Sequence, residues 1–231
     1  MKRTMLITGA TGGIGAAIVR AAAAHGYRVF ATGRDAAALH ALPADPLPVD
    51  LRTPGDLAGA LPHLDRLDAL VHCAGIADVA SVEETPHEQW TDTLTVNVVA
   101  AAETTRILLP ALREAAGHVV FVNAAPGLHA VPRWSAYAAS KTALRELADS
   151  LRTEETPHGV RVTTIYPGGT ATDLLAKVRA RFGQPYDPAK SIQPTTLATV
   201  VLTILEMRDD AYLSEVSVQP TPHGTPPGGA N

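Results

Sequence analysis

A tyrosine and a lysine stand four residues apart in the sequence, in a pattern that supports acid–base chemistry. The segment Tyr-Ala-Ala-Ser-Lys runs from Tyr137 to Lys141. Because positions i and i+4 share one face of an α-helix, both side chains are expected to point the same way. A free phenol has a pKa near ~10, and a lysine cation one turn away favours the phenolate and lowers that pKa. Such a tyrosine can exchange a proton with a substrate oxygen; a solvated helix face without chemistry is the alternative.

A glycine-rich turn near the start of the chain is suited to phosphate binding. Residues 8–15 read Thr-Gly-Ala-Thr-Gly-Gly-Ile-Gly, follow a short apolar strand, and precede a helix predicted over residues 16–25. This arrangement presents backbone N–H groups and the positive end of a helix to a phosphate. The spacing of Gly9, Gly13 and Gly15 is one residue wider than the common dinucleotide fingerprint. Close packing of a strand against a helix can also require glycine at such a turn.

Composition and charge exclude several classes of function. The 231 residues are 46% apolar and 18% charged, which suits a compact globule in water. The net charge of −4 argues against nucleic acid as the main partner. No apolar run approaches the roughly 18 residues of a membrane span, and the N-terminus runs into the first strand without a leader segment. We therefore expect a cytoplasmic protein that binds neither a membrane nor nucleic acid.

Predicted strands and helices alternate along the chain. This alternation predicts an α/β fold with a single Rossmann-type, doubly wound parallel sheet and helices on both faces. One domain is expected over residues 1–220, and the tail of residues 221–231, rich in Pro and Gly, is expected to be poorly ordered. Ligands of such sheets bind outside the carboxyl ends of the strands. The glycine turn, residues 72–75, Ala124 and residues 167–172 are all predicted to lie at such ends.

The two motifs and their order resemble the short-chain dehydrogenase/reductase family of NAD(P)-dependent oxidoreductases. The resemblance runs from Thr4 to Pro220 and includes the wider glycine spacing with Ile14. It implies that Tyr137 is the general acid/base in hydride transfer between a nicotinamide cofactor and a small carbonyl or alcohol substrate. It further implies that Lys141 lowers the pKa of the tyrosine and binds the nicotinamide ribose, and that Asn97 anchors a water in a proton relay. An asparagine that only bonds the backbone of its own helix is the alternative.

One position departs from the family pattern at the site of the chemistry. The family places a serine thirteen residues before the tyrosine and three before a glycine; Gly127 fits, whereas Ala124 occupies the serine position. Removing one hydrogen-bond donor from a developing oxyanion costs roughly 10²–10³ in rate. Three interpretations are open. The chain is an active oxidoreductase with a substitute donor such as water, Ser135, Ser140 or a substrate group, or it is a variant whose serine was replaced. In the third interpretation, it is a protein that binds NADPH as a sensor or interaction module. Asn123 is a doubtful substitute because successive strand residues point to opposite faces.

The resemblance also indicates which residues would hold the cofactor. The family's acidic, NAD-selecting position after the second strand is Gly33, and Arg34 follows it, which favours NADP(H) over NAD(H). In the alternative, Arg34 is an ordinary exposed cation and Asp35 binds the ribose of NAD. Asp50 has the alternative role of a helix cap. No metal site is expected. The residues expected to bind the cofactor, besides Tyr137 and Lys141, are Gly9, Thr11, Gly13, Ile14, Gly15, Arg34, Asp50, Leu51, Ala74, Gly75, Pro167, Gly168, Thr170 and Thr172.

The fourth predicted strand ends in His-Cys-Ala-Gly, residues 72–75, where the family has Asn-Asn-Ala-Gly. Ala74 and Gly75 keep the small side chains that allow a cofactor to approach the backbone. His72 and Cys73, which is the only cysteine of the chain, are expected to be packing residues without a catalytic role.

The layout of the family implies further features. Residues 128–134 and a lid over residues 172–193 are expected to form the walls of a substrate pocket with an apolar side. The long helices, here residues 85–115 and 135–155, imply a homodimer or homotetramer. A sugar-nucleotide epimerase shares the Tyr-x-x-x-Lys helix, but few residues follow Gly168 to form the larger substrate region of such an enzyme.

Overall fold

Seven parallel strands form one sheet in the computed structural model, which describes residues 2–125, 131–207 and 210–222. The strands are β1 Thr4–Thr8, β2 Arg28–Gly33, β3 Asp45–Pro48, β4 Ala69–His72, β5 His118–Val122, β6 Arg161–Pro167 and β7 Glu215–Val218. Their order across the sheet is β3-β2-β1-β4-β5-β6-β7, which confirms the predicted doubly wound α/β fold. The chain winds from β1 to β3 in one direction and continues from β4 in the other. The winding therefore reverses between β1 and β4, where sheets of this kind bind ligands.

Eight α-helices flank the sheet among the described residues. They are α1 Gly13–Ala24, α2 Ala36–His40, α3 Leu57–Ala60, α4 His87–Leu94, α5 Ala100–Ala115, α6 Ser135–Glu155, α7 Asp173–Arg181 and α8 Pro194–Glu206. A π-helical segment, Thr95–Val99, joins α4 to α5. Short 3₁₀ segments occur at Pro54–Asp56, Thr156–His158 and Pro188–Lys190. Within the described ranges, no helix combines the length and the apolar character that a bilayer span requires.

Two apolar cores, one on each face of the sheet, hold the helices in place. Ile18 of α1 and Leu202 of α8 belong to one cluster of buried side chains. Leu112 of α5, Leu144 of α6 and Phe121 of β5 belong to the other. Because the central strands are covered on both faces, their side chains are buried on both faces rather than alternately, and all five residues of β5 are buried.

Arginine side chains cover the carboxyl ends of two helices at the amino edge of the sheet. The guanidinium of Arg66 donates to the carbonyls of Glu114 and Ala115 at the end of α5, at 3.2 and 3.3 Å. Arg161 donates to the carbonyl of Met207, just after α8, at 2.7 Å. The last carbonyls of a helix lack intrahelical partners and carry partial negative charge, so cations there are stabilising.

The bounds of α6 agree with the prediction, whereas α7 was not predicted. α6 runs over Ser135–Glu155, the range that the family resemblance implied. α7 lies inside the segment that was expected to be an irregular lid. Thr172 stabilises the start of α7, because its hydroxyl accepts a hydrogen bond from the N–H of Leu175 at 3.3 Å. Most of the expected tail lies outside the described residues, which end at residue 222.

Close backbone contacts at the carboxyl ends of β1 and β4 require glycine. Gly9 has a φ of +67°, and a Cβ atom there would lie 2.6 Å from the Cα of Ala74. A Cβ atom at Gly15, in the first turn of α1, would lie 2.2 Å from the carbonyl oxygen of Gly9. The glycine turn is therefore pressed between the start of α1 and the chain that leaves β4.

We expect Gly15→Ala to destabilise the fold. The added methyl group has no space beside the Gly9 carbonyl, and overpacking of this kind costs about 1–3 kcal/mol. Gly59→Ala is the matched control, because Gly59 lies in α3 with no atom within 4 Å of its Cβ position. The control should be neutral or should gain about 0.5–1 kcal/mol. Chemical unfolding measures both variants, and equal stability of the two would contradict the assignment.

Candidate active site

The structure brings Tyr137 and Lys141 together on the first two turns of α6. The ammonium nitrogen of Lys141 lies 5.7 Å from the centroid of the Tyr137 ring. It donates a hydrogen bond of 3.0 Å to the carbonyl of Val122, the last residue of β5. Lys141 is buried and Tyr137 is half-buried. The pair therefore lies at the carboxyl edge of the sheet, where the fold places its ligands.

Burial sets the acid–base properties of both groups. It raises the pKa of the Tyr137 phenol to about 12. It also lowers the pKa of Lys141 to about 8, an effect that the nearby Cys73 thiol partly opposes. The expectation that Lys141 lowers the pKa of Tyr137 is not met in the chain by itself, because desolvation disfavours the phenolate. The ammonium group bonds the Val122 carbonyl. Tyr137 therefore keeps its proton at neutral pH.

Asn97 connects three parts of the site. It lies in the π-helical segment, is 1% exposed, and exchanges two hydrogen bonds with the backbone of Ile76 after β4, at 2.8 and 3.0 Å. Its amide also donates to the hydroxyl of Ser140 at 2.9 Å, and that hydroxyl donates to the carbonyl of Tyr137 at 2.7 Å. The alternative that Asn97 only bonds its own helix is wrong. The amide fixes the first two turns of α6 relative to the end of β4.

Ala124 lies beyond the end of β5, half-buried, with no hydroxyl to offer. Two of the side chains considered as substitutes are already engaged. The Asn123 amide donates to the Lys141 carbonyl at 3.0 Å, and the Ser140 hydroxyl is bound within the Asn97 network. The hydroxyl of Ser135 is buried and has no hydrogen-bond partner among the described residues. Residues 126–130, which include Gly127 and part of the expected pocket wall, lie outside the described residues.

The glycine turn contacts two other segments that were predicted to bind the cofactor. Gly9 packs on Ala74, and the hydroxyl of Thr8 accepts the Ala74 N–H at 3.3 Å. A Cβ atom at Gly13 would lie 3.0 Å from the Cγ2 of Thr172. A Cβ atom at Gly75 would lie 3.4 Å from Oδ1 of Asn97 and 3.6 Å from Nζ of Lys141. The glycine turn, the end of β4 and α6 thus border one cleft.

The segment after β6 is tied to the ends of β5 and β7. The Ala125 N–H donates to the Pro167 carbonyl at 3.0 Å, and the Gly168 N–H donates to the Val218 carbonyl at 2.8 Å. The Thr170 hydroxyl donates to the Gly168 carbonyl at 3.1 Å. These contacts place the predicted Pro-Gly segment next to Ala124 and opposite the glycine turn.

The end of β2 offers one exposed cation to the cleft. Arg34 is exposed and forms no ion pair with any part of the chain that the structure describes. The carboxylate of Asp35 accepts the Ala38 N–H at 3.0 Å and caps α2. Asp35 is therefore already used by the fold, which weakens the alternative in which it binds the ribose of NAD.

Asp50 and Leu51 follow β3 on the same edge. The Asp50 carboxylate accepts the N–H of Arg52 at 3.0 Å, which forms a local turn rather than a helix cap. Leu51 lies beside a small internal cavity that Asn97 and Ala74 also line. Asp50 is exposed and Leu51 half-buried, so both remain reachable from the cleft.

A family model for short chain dehydrogenases matches residues 3–182 of the chain. The chain belongs to this family. An uncharacterised short-chain type dehydrogenase/reductase of Sinorhizobium fredii is 32% identical over 225 residues, which cover 94% of this chain and 90% of the relative. Among solved structures, a metagenomic short-chain oxidoreductase in complex with NADP is 29% identical, with a TM-score of 0.77 and coverage of 95% and 97%. An alcohol dehydrogenase of Thermococcus sibiricus, complexed with 5-hydroxy-NADP, shares the fold with a TM-score of 0.83 at 22% identity over 95% and 97% of the two chains.

An aromatic contact that the sequence did not predict joins α7 to α6. Trp134, directly before α6, lies 5.3 Å from the Tyr137 ring and stacks on Phe182 at 5.9 Å between centroids. Trp134 was expected in the pocket wall, whereas Phe182 follows a helix that sequence periodicity did not reveal. The two rings give the site an apolar side next to Tyr137.

His72 is a packing residue, as the sequence indicated. It is 3% exposed, stacks on Phe121 at 4.8 Å, and shares a 2.8 Å hydrogen bond with the Thr105 hydroxyl. That hydroxyl donates to the Ala101 carbonyl, so it accepts from Nε2 of His72. Burial lowers the pKa of His72 to about 3, and burial together with the charge of Arg161 lowers the pKa of His118 to about 3.

The free energy of unfolding should fall as the pH falls from about 6.5 towards about 3. Both histidines stay neutral in the folded chain, whereas in the unfolded chain they bind protons below about pH 6.5. Each histidine can contribute a slope of up to about 1.4 kcal/mol per pH unit in this window. We expect His72→Gln and His118→Gln each to flatten the pH dependence, and the double variant to flatten it most. Urea unfolding at several pH values measures the slope, and an unchanged slope in both variants would contradict the assignment.

Proposed function

We propose that the chain is an NADP(H)-dependent oxidoreductase that interconverts a carbonyl and an alcohol by hydride transfer. The observation that carries this proposal is the placement of Tyr137 and Lys141 in the same cleft as the glycine turn, with Asn97 bonded into the catalytic helix. A site that had lost its chemistry would have no need to keep all three side chains. The family membership supports the reaction class.

The glycine turn fits the phosphates of a dinucleotide. Gly12 precedes α1 and offers no side chain to cap the first N–H groups of that helix. Residues 11–13 are exposed. Uncapped N–H groups at the positive end of a helix are a favourable environment for a phosphate. The proposed cofactor-binding residues also include the segments at Asp50–Leu51, Ala74–Gly75 and Pro167–Thr172, which border the same edge of the sheet.

NADP(H) is proposed over NAD(H) because of the charges after β2. Arg34 is an exposed cation there, Gly33 provides no acid, and the carboxylate of Asp35 caps α2. An anionic 2′-phosphate would find a cation, whereas the carboxylate of Asp35 already accepts a backbone N–H through one of its oxygens. The metagenomic relative in complex with NADP shows that a protein of this family and similar structure binds this cofactor.

Each catalytic residue has a distinct part in the proposed reduction. The cofactor, when bound, supplies the hydride. Tyr137 donates its phenolic proton to the substrate oxygen, and its raised pKa keeps that proton available. The Lys141 ammonium, which persists below a pKa of about 8, then stabilises the phenolate. Asn97 and Ser140 position the first turn of α6 through the Tyr137 carbonyl.

A second candidate function follows from Ala124. The family's second donor to the substrate oxygen is absent at this position, and the neighbouring amide of Asn123 is bonded to the Lys141 carbonyl. A chain that binds NADPH but turns over no carbonyl would act as a sensor or an interaction module. We also propose a homodimer or homotetramer through α5 and α6, near which Val99 is 49% exposed.

The Ala124→Ser variant separates the two functions. NADPH consumption is measured against a panel of ketones, aldehydes and quinones, and NADPH binding is followed by nucleotide fluorescence. An oxidoreductase should turn over some carbonyl, and Ala124→Ser should raise its kcat by up to about 10²–10³. Turnover by the variant alone, with NADPH bound by both chains, would identify the parent as a binding protein.

Tyr137→Phe is the control for this measurement. It removes the proton donor and keeps the ring, so NADPH binding should persist and turnover should be lost. Full turnover by Tyr137→Phe would show that the proton donor lies elsewhere.

Arg34→Ala should weaken NADPH binding much more than NADH binding. A hydrogen bond between charged groups contributes about 1.5–3 kcal/mol, which corresponds to roughly 10- to 100-fold in Kd. Arg28→Ala is the matched control, because Arg28 lies at the other end of β2 and pairs with Asp45. Equal changes of the two Kd values in Arg34→Ala would refute the assignment.

A further inference from the structure

A side chain at Gly33, at the end of β2, would be in tight contact with Thr11. A Cβ atom at Gly33 would lie 3.2 Å from both Cγ2 and Oγ1 of Thr11, and 3.5 Å from Cδ2 of Leu39. Contacts of carbon atoms are most favourable near ~3.5–4.0 Å, so the two contacts with Thr11 are the tight ones. Leu39 is fully buried, whereas Thr11 is exposed. Thr11 is therefore the neighbour that limits position 33 and also the one that can be changed without opening the core.

Backbone hydrogen bonds prevent the two segments from moving apart. The Ala10 N–H donates to the Thr32 carbonyl at 2.9 Å, one residue before Thr11 and one before Gly33. On the other side, the Val49 N–H donates to the Gly33 carbonyl at 2.9 Å. Gly33 has no positive φ, so a larger residue would be opposed by contact and not by backbone strain.

The contact matters because an acidic side chain that selects NAD would stand at position 33. The Asp35 carboxylate is bonded to the Ala38 N–H, and Arg34 carries the opposite charge. The family resemblance places the acid that binds the ribose hydroxyls of NAD at position 33.

We propose that Thr11 and Gly33 form a coupled pair that determines cofactor specificity. Thr11 occupies the space beside β2 and so opposes an acidic side chain at position 33, and Arg34 is then the charge that an incoming nucleotide meets. This inference rests on the proposed function, since it concerns the choice between NADP(H) and NAD(H). The steric part of it belongs to the chain alone and is measurable without a nucleotide.

The first test is a double-mutant cycle on the chain without nucleotide, read as Tm. Gly33→Ala should lower the Tm, because the methyl group meets Thr11. Thr11→Ala removes Cγ2 and Oγ1, and in that background roughly half or more of the Tm loss should disappear. Thr199→Ala is the matched control, since Thr199 is an exposed threonine on α8, and its effect should simply add to that of Gly33→Ala. Additive behaviour of the Thr11 pair would overturn the coupling.

The second test measures Kd for NADPH and NADH by nucleotide fluorescence. Gly33→Asp alone should lose affinity for both nucleotides, because the carboxylate is held against Thr11. Gly33→Asp with Thr11→Ala should move the ratio of the two Kd values towards NADH by about tenfold or more beyond the single variant. Gly33→Asn with Thr11→Ala has the same size without the charge, and it should not produce this shift. An equal ratio in the single and double aspartate variants would refute the role of Thr11.

The two tests separate failure of the inference from failure of the proposed function. A parent chain that binds neither nucleotide would overturn the proposed function and the specificity role together, whatever the Tm cycle shows. A parent that binds NADPH, with additive Tm effects, would leave the function standing and would overturn the pair. If Thr11→Ala folds but Gly33→Ala/Thr11→Ala does not, removing the Thr11 contact gives no relief and the coupling is wrong.

Discussion

The close approach of Gly9 to Ala74 is the contact on which the rest of the site depends. β1 and β4 are neighbours at the point where the winding of the sheet reverses, and Thr8 pairs in register with His72. A side chain at Gly9 would collide with the backbone of Ala74. Because that collision is absent, the turn that leads into α1 lies directly against the chain leaving β4. The glycine turn, which is suited to phosphates, and the residues suited to proton transfer consequently lie next to each other.

The buried amide of Asn97 then links the end of β4 to α6. The π-helical segment turns Asn97 towards the end of β4, where its carbonyl and amino groups are all satisfied by Ile76 and Ser140. Buried polar groups are costly when unpaired, so a fully bonded amide favours one arrangement of the helices over others. Long-range bonds thus tie α6, and Tyr137 on it, to the end of β4.

Local patterns made much of the fold predictable, whereas contacts between distant segments were not. The helix at 135–155 and the glycine turn each depend on residues that are near one another in sequence. The contacts of Gly13 with Thr172 and of Thr11 with Gly33 depend on how separate segments pack, which spacing alone does not encode. The pKa of Tyr137 was expected to fall, because the proximity of Lys141 was readable and the depth of burial was not. α7 escaped prediction because it has only weak apolar periodicity, and its start depends on the Thr172 cap.

The helix ends at the two edges of the sheet differ in whether side chains neutralise them. Arg66 and Arg161 neutralise the carboxyl ends of α5 and α8, while the uncapped amino end of α1 faces the opposite edge. A chain with a net charge of −4 would repel an anion at long range. Charges in solution are screened beyond a Debye length of about 8 Å, so a dinucleotide close to the cleft responds to the local helix end and to Arg34. The local charges at the carboxyl edge, and not the net charge of the chain, therefore set the field that an anion in the cleft would experience.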